Sequence, residues 1–174
     1  MTPLDRKLFR IMSDEDELRV DGLCRDLLKD FHRRLLDRGT RPHEAGSLAH
    51  GADYFLRDYV VSARRETVLD ETPGLIRRFA ATWYVITTLE PSLDELAGHL
   101  RGVRAFYSFL CEKGLITPSC LAQAEKECAD LDYYEKRIES FWDIKDDGYL
   151  AWERECTLKT GAFRAGVEAS RIQD

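Results

Sequence analysis

The side chains best suited to chemistry are four histidines, His32, His43, His50 and His99, and five cysteines, Cys24, Cys111, Cys120, Cys128 and Cys156. His43 and His50 stand seven residues apart and so share one helix face, but no carboxylate lies at ligand spacing to complete a metal site with them. They read as surface or rim imidazoles. The cysteines form no C-x-x-C pair and their number is odd, which disfavours both a disulfide framework and a zinc site. They read as small, half-buried apolar residues in a reducing compartment. The paired Glu-x-x-His of di-iron bundles is absent, as are a G-x-x-x-x-G-K-[ST] phosphate loop, a G-x-G-x-x-G turn and a G-x-S-x-G nucleophile elbow. Asp146-Asp147 falls in a Gly-containing turn, where carboxylates are solvated. The expectation is a non-catalytic protein with no metal and no cofactor.

Composition narrows the partners. The 174 residues suit one domain, or one domain with an appendage, and a hydrophobic share of 44% is too high for a disordered chain. No apolar run approaches the roughly 20 residues that cross a bilayer, so no membrane span is expected. The first residues lack the apolar core of a secretory signal, which predicts a cytosolic location. Net charge is −6, whereas nucleic-acid binders are usually basic because phosphate neutralisation supplies much of their affinity. The imbalance is local. Residues 1–40 hold nine Lys+Arg against nine Asp+Glu, 41–116 hold nine against ten, and 117–174 hold eight against thirteen.

The elements that must position these groups all read as helices. Leu23, Leu27, Phe31 and Leu35 recur every four residues in a first helix over about 15–38, stopped by Gly39. A second starts near Pro42 and turns Ala45, Leu48, Ala52, Phe55, Leu56, Tyr59 and Val60 to one side; its small residues Ala45, Ala49 and Ala52 would admit another helix closely. Thr72-Pro73 opens a third, with Ile76, Phe79, Trp83 and Ile86 in helical spacing up to Pro91. Ser92-Leu93-Asp94-Glu95 is a capping-box pattern for a fourth, in which Glu95 would reach back to the Ser92 amide; Gly114 ends it. A fifth begins at Thr117-Pro118 and carries Leu121, Ala124, Cys128, Leu131, Ile138 and Trp142 as a heptad-like stripe interrupted at Glu135. The predicted organisation is an N-terminal arm (1–14), a four-helix body (15–116) and an acidic C-terminal helical extension (117–174).

The fourth helix and its exit read Leu100-Arg101-Gly102-Val103-Arg104-Ala105-Phe106-Tyr107-Ser108-Phe109-Leu110, then Cys111 to Pro118. This stretch resembles the last helix of the N-terminal core-binding, SAM-like domain of tyrosine recombinases, the phage-integrase family. Tyr54-Phe55-Leu56 with Tyr59 resembles that domain's opening helix, and Leu75-Ile76-Arg77-Arg78-Phe79 a later segment of it. The resemblance covers about residues 20–118 and implies an all-α, four-helix SAM-like orthogonal bundle that clamps duplex DNA through its phosphates. It assigns that contact to Arg101, Arg104 and Ser108, extended by Arg77, Arg78, Arg57 and Arg41, with small residues beside Arg101 and Arg104 admitting a phosphate backbone. The family's catalytic domain has no counterpart: no histidine follows residue 99, Tyr149 stands without partners, and the 58 residues after 116 are too few. Two readings follow. One is a non-catalytic module that binds double-stranded DNA. The other is a protein-interaction or structural bundle that pairs with a partner or a second copy through residues 121–142.

Overall fold

The computed structural model describes residues 6–155, and among them every regular element is helical. A short 3-10 turn, Arg6–Phe9, leads into α1, Asp14–Asp37, whose Ser13 hydroxyl accepts the Asp16 amide at its start. Val20, Cys24, Leu27, Leu28 and Phe31 form its buried stripe. Gly39, at φ 84°, closes it with Gly39 N–H on the Leu36 carbonyl and Thr40 N–H on that of Leu35, the paired bonds of a Schellman ending. Helix α2, Pro42–Asp53, runs on without interruption into a π-helical stretch, Tyr54–Ala63. The next rod is composite: α3, Leu75–Arg78, a π turn, Phe79–Trp83, and α4, Tyr84–Thr87. Helix α5, Leu93–Glu112, is the central element, and α6, Pro118–Ala129, and α7, Leu131–Trp142, follow it. A last helical segment occupies 149–155.

The π turns are where period-counting from sequence fails. Spacing places Ile86 on the core face with Ile76, Phe79 and Trp83, but Ile86 is exposed while Tyr84 and Val85 are buried. A π turn holds an extra residue, so everything after Trp83 is rotated relative to an ideal α-helix. The fifth helix also departs from expectation, because it breaks at Asp130 (φ −80°, ψ 48°). The Asp130 carbonyl then accepts the Tyr133 and Tyr134 amides and starts α7. Of the heptad-like stripe, Ala124, Cys128 and Ile138 enter the same core as α1, α2 and α5, so it does not stand free for a coiled-coil partner. Trp142, at its end, is 60% exposed. The stretch beyond residue 155, including Cys156, lies outside the described residues.

The capping box forms by half. Ser92 Oγ accepts the Glu95 amide as expected, but Glu95 does not return to the Ser92 amide. The Tyr84 hydroxyl takes that place: it accepts Ser92 N–H at 3.2 Å and donates to Glu95 Oε2 at 2.7 Å. Burial, with the Glu95 carboxylate adding to it, pushes the Tyr84 hydroxyl up to about 12. This neutral phenol therefore locks the rod of α3–α4 to the start of α5.

Two buried charges join α6 and α7 to the body. Glu127 accepts the Gly74 and Arg77 amides at 2.8 and 2.9 Å, placing a carboxylate on the otherwise unpaired donors at the start of the α3 rod. Arg137, 2% exposed, donates to the Ala81 carbonyl in the second π turn and to the Trp152 carbonyl. Its guanidinium lies 3.7 Å from the centre of the Trp152 ring, a stacked arrangement that suits a desolvated arginine.

Helices α2 and α5 cross at two glycines. A methyl group at Gly102 would stand 2.3 Å from the Leu48 carbonyl oxygen and 2.9 Å from the Ala52 amide nitrogen; one at Gly51 would stand 2.9 Å from the His99 backbone. Those atoms belong to backbone and cannot swing aside. Replacing a helical glycine by alanine ordinarily gains about 1 kcal/mol of helix propensity. Gly22, in α1, meets nothing within 4 Å and sets that baseline. In urea denaturation Gly22→Ala should raise stability by about 0.5–1 kcal/mol, whereas Gly102→Ala should lower it by about 2–3 kcal/mol despite the same propensity gain. Equal effects at the two positions would refute the crossing.

Candidate nucleic-acid interface

The residues assigned to phosphate contact fall into separate neighbourhoods. Arg101, Arg104 and Ser108 lie along α5, the two arginines exposed and Ser108 half-buried. Arg41 sits exposed at the start of α2 and its side chain caps nothing. Arg57 leaves the first π stretch toward α1, where it holds Asp21 at 2.7 and 3.3 Å, and it also holds Asp53, the last residue of α2, at 3.1 Å. Arg77 and Arg78, adjacent in α3, part company: Arg77 reaches Asp130 at 3.0 Å and lies over the Tyr133 ring, while Arg78 lies 3.7 Å from Glu66.

Neutralisation differs as sharply as position. The side chain of Arg77 is only 17% exposed, and that of Arg57 is bracketed by two carboxylates. Neither can leave its partner for a phosphate without stranding a partly desolvated charge. Arg104 meets Glu125 at 3.4 Å with both side chains well exposed, a pairing that contributes little and is readily exchanged. Arg41 and Arg101 have no carboxylate partner among the described residues. Arg64 and Arg65 are likewise held, by Glu66 and by Asp14 with Glu17. Two of the neutralising carboxylates, Glu125 and Asp130, come from the acidic C-terminal segment.

Around Arg101 the α2–α5 crossing leaves a groove of about 510 Å³. His43, Ser47 and His50 line it from α2, and Glu95, His99 and Arg101 from α5. Gly98 lies directly beside the Arg101 guanidinium, which stands 3.8 Å from where a methyl group would be. His99 is packed on Tyr54, ring centres 4.7 Å apart, with the His50 ring 5.8 Å away. Burial holds His99 below its usual 6.5 against the pull of Glu95, which keeps the imidazole neutral at pH 7. Among the described residues no group of three His, Cys, Asp or Glu has the geometry to hold a metal ion. The His43–His50 spacing is legible in the sequence; that His99 joins them from another helix is not, because only the glycine crossing brings it there.

The Arg57 cluster gives a pH-dependent test of this assignment. Hydrogen bonding from Arg57, and then from Arg25, holds the Asp21 carboxyl below its ordinary 3.8 in spite of burial. A depressed folded-state value stabilises the fold above the unfolded value, and that contribution disappears as pH falls through the folded one. Arg57→Ala should therefore cost on the order of 1–2 kcal/mol at neutral pH, and the gap from wild type should narrow as pH falls below the ordinary carboxylate value of 3.8. Thermal melts across that range check it. A gap independent of pH would show that Arg57 acts through packing alone.

No family model, curated protein or solved structure matches this chain.

Proposed function

We propose that this chain is a non-catalytic helical module that binds another protein, the simplest partner being a second copy of itself. The observation that carries this reading is the internal neutralisation of the arginines: Arg57, Arg77, Arg78 and Arg104 each face a carboxylate within 2.7–3.7 Å. A duplex needs several free cations tracking its backbone, and a chain of net charge −6 with its arginines so occupied offers few. The surface instead presents large apolar side chains near its C-terminal helices. Trp142 and Leu150 are 60% and 59% exposed, with Tyr149 near them in sequence. Tryptophan and tyrosine are the side chains that most often anchor protein interfaces.

A second reading, double-stranded DNA, has a specific observation in its favour. Arg41 and Arg101 are exposed and unneutralised, Arg104 is weakly held, and the small residues Gly98, Ala105 and Ser108 flank the α5 arginines. Fluorescence anisotropy with a labelled duplex at low and moderate salt separates the two. Interaction with protein predicts no saturable DNA binding, and sedimentation velocity should show concentration-dependent association that Trp142→Glu with Leu150→Glu abolishes. Tight duplex binding that weakens steeply with salt and disappears in Arg41→Ala/Arg101→Ala would overturn the first reading in favour of the second. A strict monomer at every concentration would remove the second copy as the partner.

A further inference from the structure

The two π-helical stretches end at the same place. Tyr59 and Ala63 come from the first, with Arg64 just after it, and Thr82 and Trp83 from the second; together with Arg78, Glu153 and Arg154 they surround a cleft of about 340 Å³. π turns are uncommon, their hydrogen bonds are less favourable than those of an α-helix, and they recur at functional sites. Here they act jointly. The second one re-phases the rod so that Trp83 lies half-buried at the cleft while Val85 turns to the core.

The chemistry of the walls is specific. Trp83 and Tyr59, ring centres 5.3 Å apart, close one side with aromatic surface. Three guanidinium groups, Arg64, Arg78 and Arg154, face two carboxylates: Glu66, which holds Arg64 at 2.7 Å and lies 3.7 Å from Arg78, and Glu153 in the wall itself. The cleft is left with one positive charge in excess. Arg154 has no ion-pair partner among the described residues. Arg78 lies beside the Tyr59 hydroxyl, whose proton is held on chiefly by burial. A guanidinium next to an aromatic wall, in a concavity of this size, is the arrangement that captures a flat ring by stacking and its oxyanion by forked hydrogen bonds.

We propose that this cleft binds a small planar aromatic molecule bearing a single oxyanion, with its ring against Trp83 and its anion on Arg154, Arg64 adding to the hold from its solvent-exposed pairing with Glu66. Carboxylate and phosphate share the recognition, and the experiment distinguishes them. The inference shares only Arg78 with the partner reading above and uses neither Trp142 nor Leu150, so the two are tested separately.

Isothermal titration of the full chain with indole-3-carboxylate and with phenyl phosphate provides the test, with neutral indole and inorganic phosphate as controls. One or both aromatic anions should bind saturably, and each control at least about tenfold more weakly. Arg154→Gln, at an exposed position with no ion-pair partner among the described residues, should weaken binding about three- to tenfold without moving the melting temperature, and Arg64→Gln should add to the loss. Inorganic phosphate binding as well as phenyl phosphate would reduce the cleft to a charge trap, and indole binding as well as its carboxylate would reduce it to an apolar hole; either overturns the proposal. So does the absence of saturable heat with both anions, or unchanged affinity in the double variant.

Discussion

The close passage of α2 over α5 is the constraint on which the rest of the structure hangs. With Gly51 and Gly102 facing each other's helix backbone, the two rods approach to a distance that no side chain could occupy. Everything on α5 is then fixed in direction. Val103, Phe106 and Leu110 enter the core, Phe106 and Phe109 meet Phe31 of α1, and Arg101 and Arg104 are left outside. The same passage sets Tyr54, His50 and His99 against one another. A wider crossing would loosen that stack and open the groove beside Arg101.

The chain's acidic excess has an internal use as well as an external one. Read by segment, the last third looks like a charged appendage that would repel nucleic acid. In space, Glu127 caps the α3 rod from a buried position and Asp130 pins Arg77, while Glu125 lies against Arg104. Buried Arg137 works in the opposite sense, a cation from the acidic segment that satisfies backbone carbonyls of the π turn and of Trp152. Removing one partner from such a buried arrangement leaves a stranded charge, so these contacts bind α6 and α7 to the body more firmly than their apolar surface alone would. Net charge per segment is thus a poor guide to the field at any one surface, because partners far apart in sequence cancel locally.

Local chemistry made much of the fold legible. Ser13, Ser92 and Thr117 cap helices with their side chains, Gly39, Gly114 and Pro42 mark ends, and the four-residue recurrence in α1 is its buried stripe. These signals act within one turn of the chain, so the sequence displays them directly. What could not be read depends on a second element. The Tyr84 hydroxyl displaces Glu95 from the Ser92 amide because α4 folds back on α5, and nothing in Ser92–Glu95 announces it. The break at Asp130 falls where the apolar pattern shows no interruption, which it shows only at Glu135, and helical spacing survives the break well enough to keep Cys128 and Ile138 buried. The arginines were visible by type, and Asp53 stands at local i,i+4 spacing from Arg57, but Asp21 lies 36 residues from Arg57 and Asp130 lies 53 from Arg77, separations no local pattern encodes.

The π stretches are the least expected feature of the packed body. A chain that needed only a packed core could have wound these segments as α-helix, with better hydrogen bonds and no shift of phase. Instead the Ala81 carbonyl in the second of them is satisfied by an arginine from α7, which is itself held by Trp152. The irregular turn is therefore supported from outside by a buried charge, a costly arrangement to maintain for packing alone. An irregular turn that neighbouring structure holds in place is informative when it coincides with a concave, polar-lined surface. At Trp83 the two coincide, and that is why the re-phased rod is the most telling departure of this structure from the regular bundle its sequence leads one to expect.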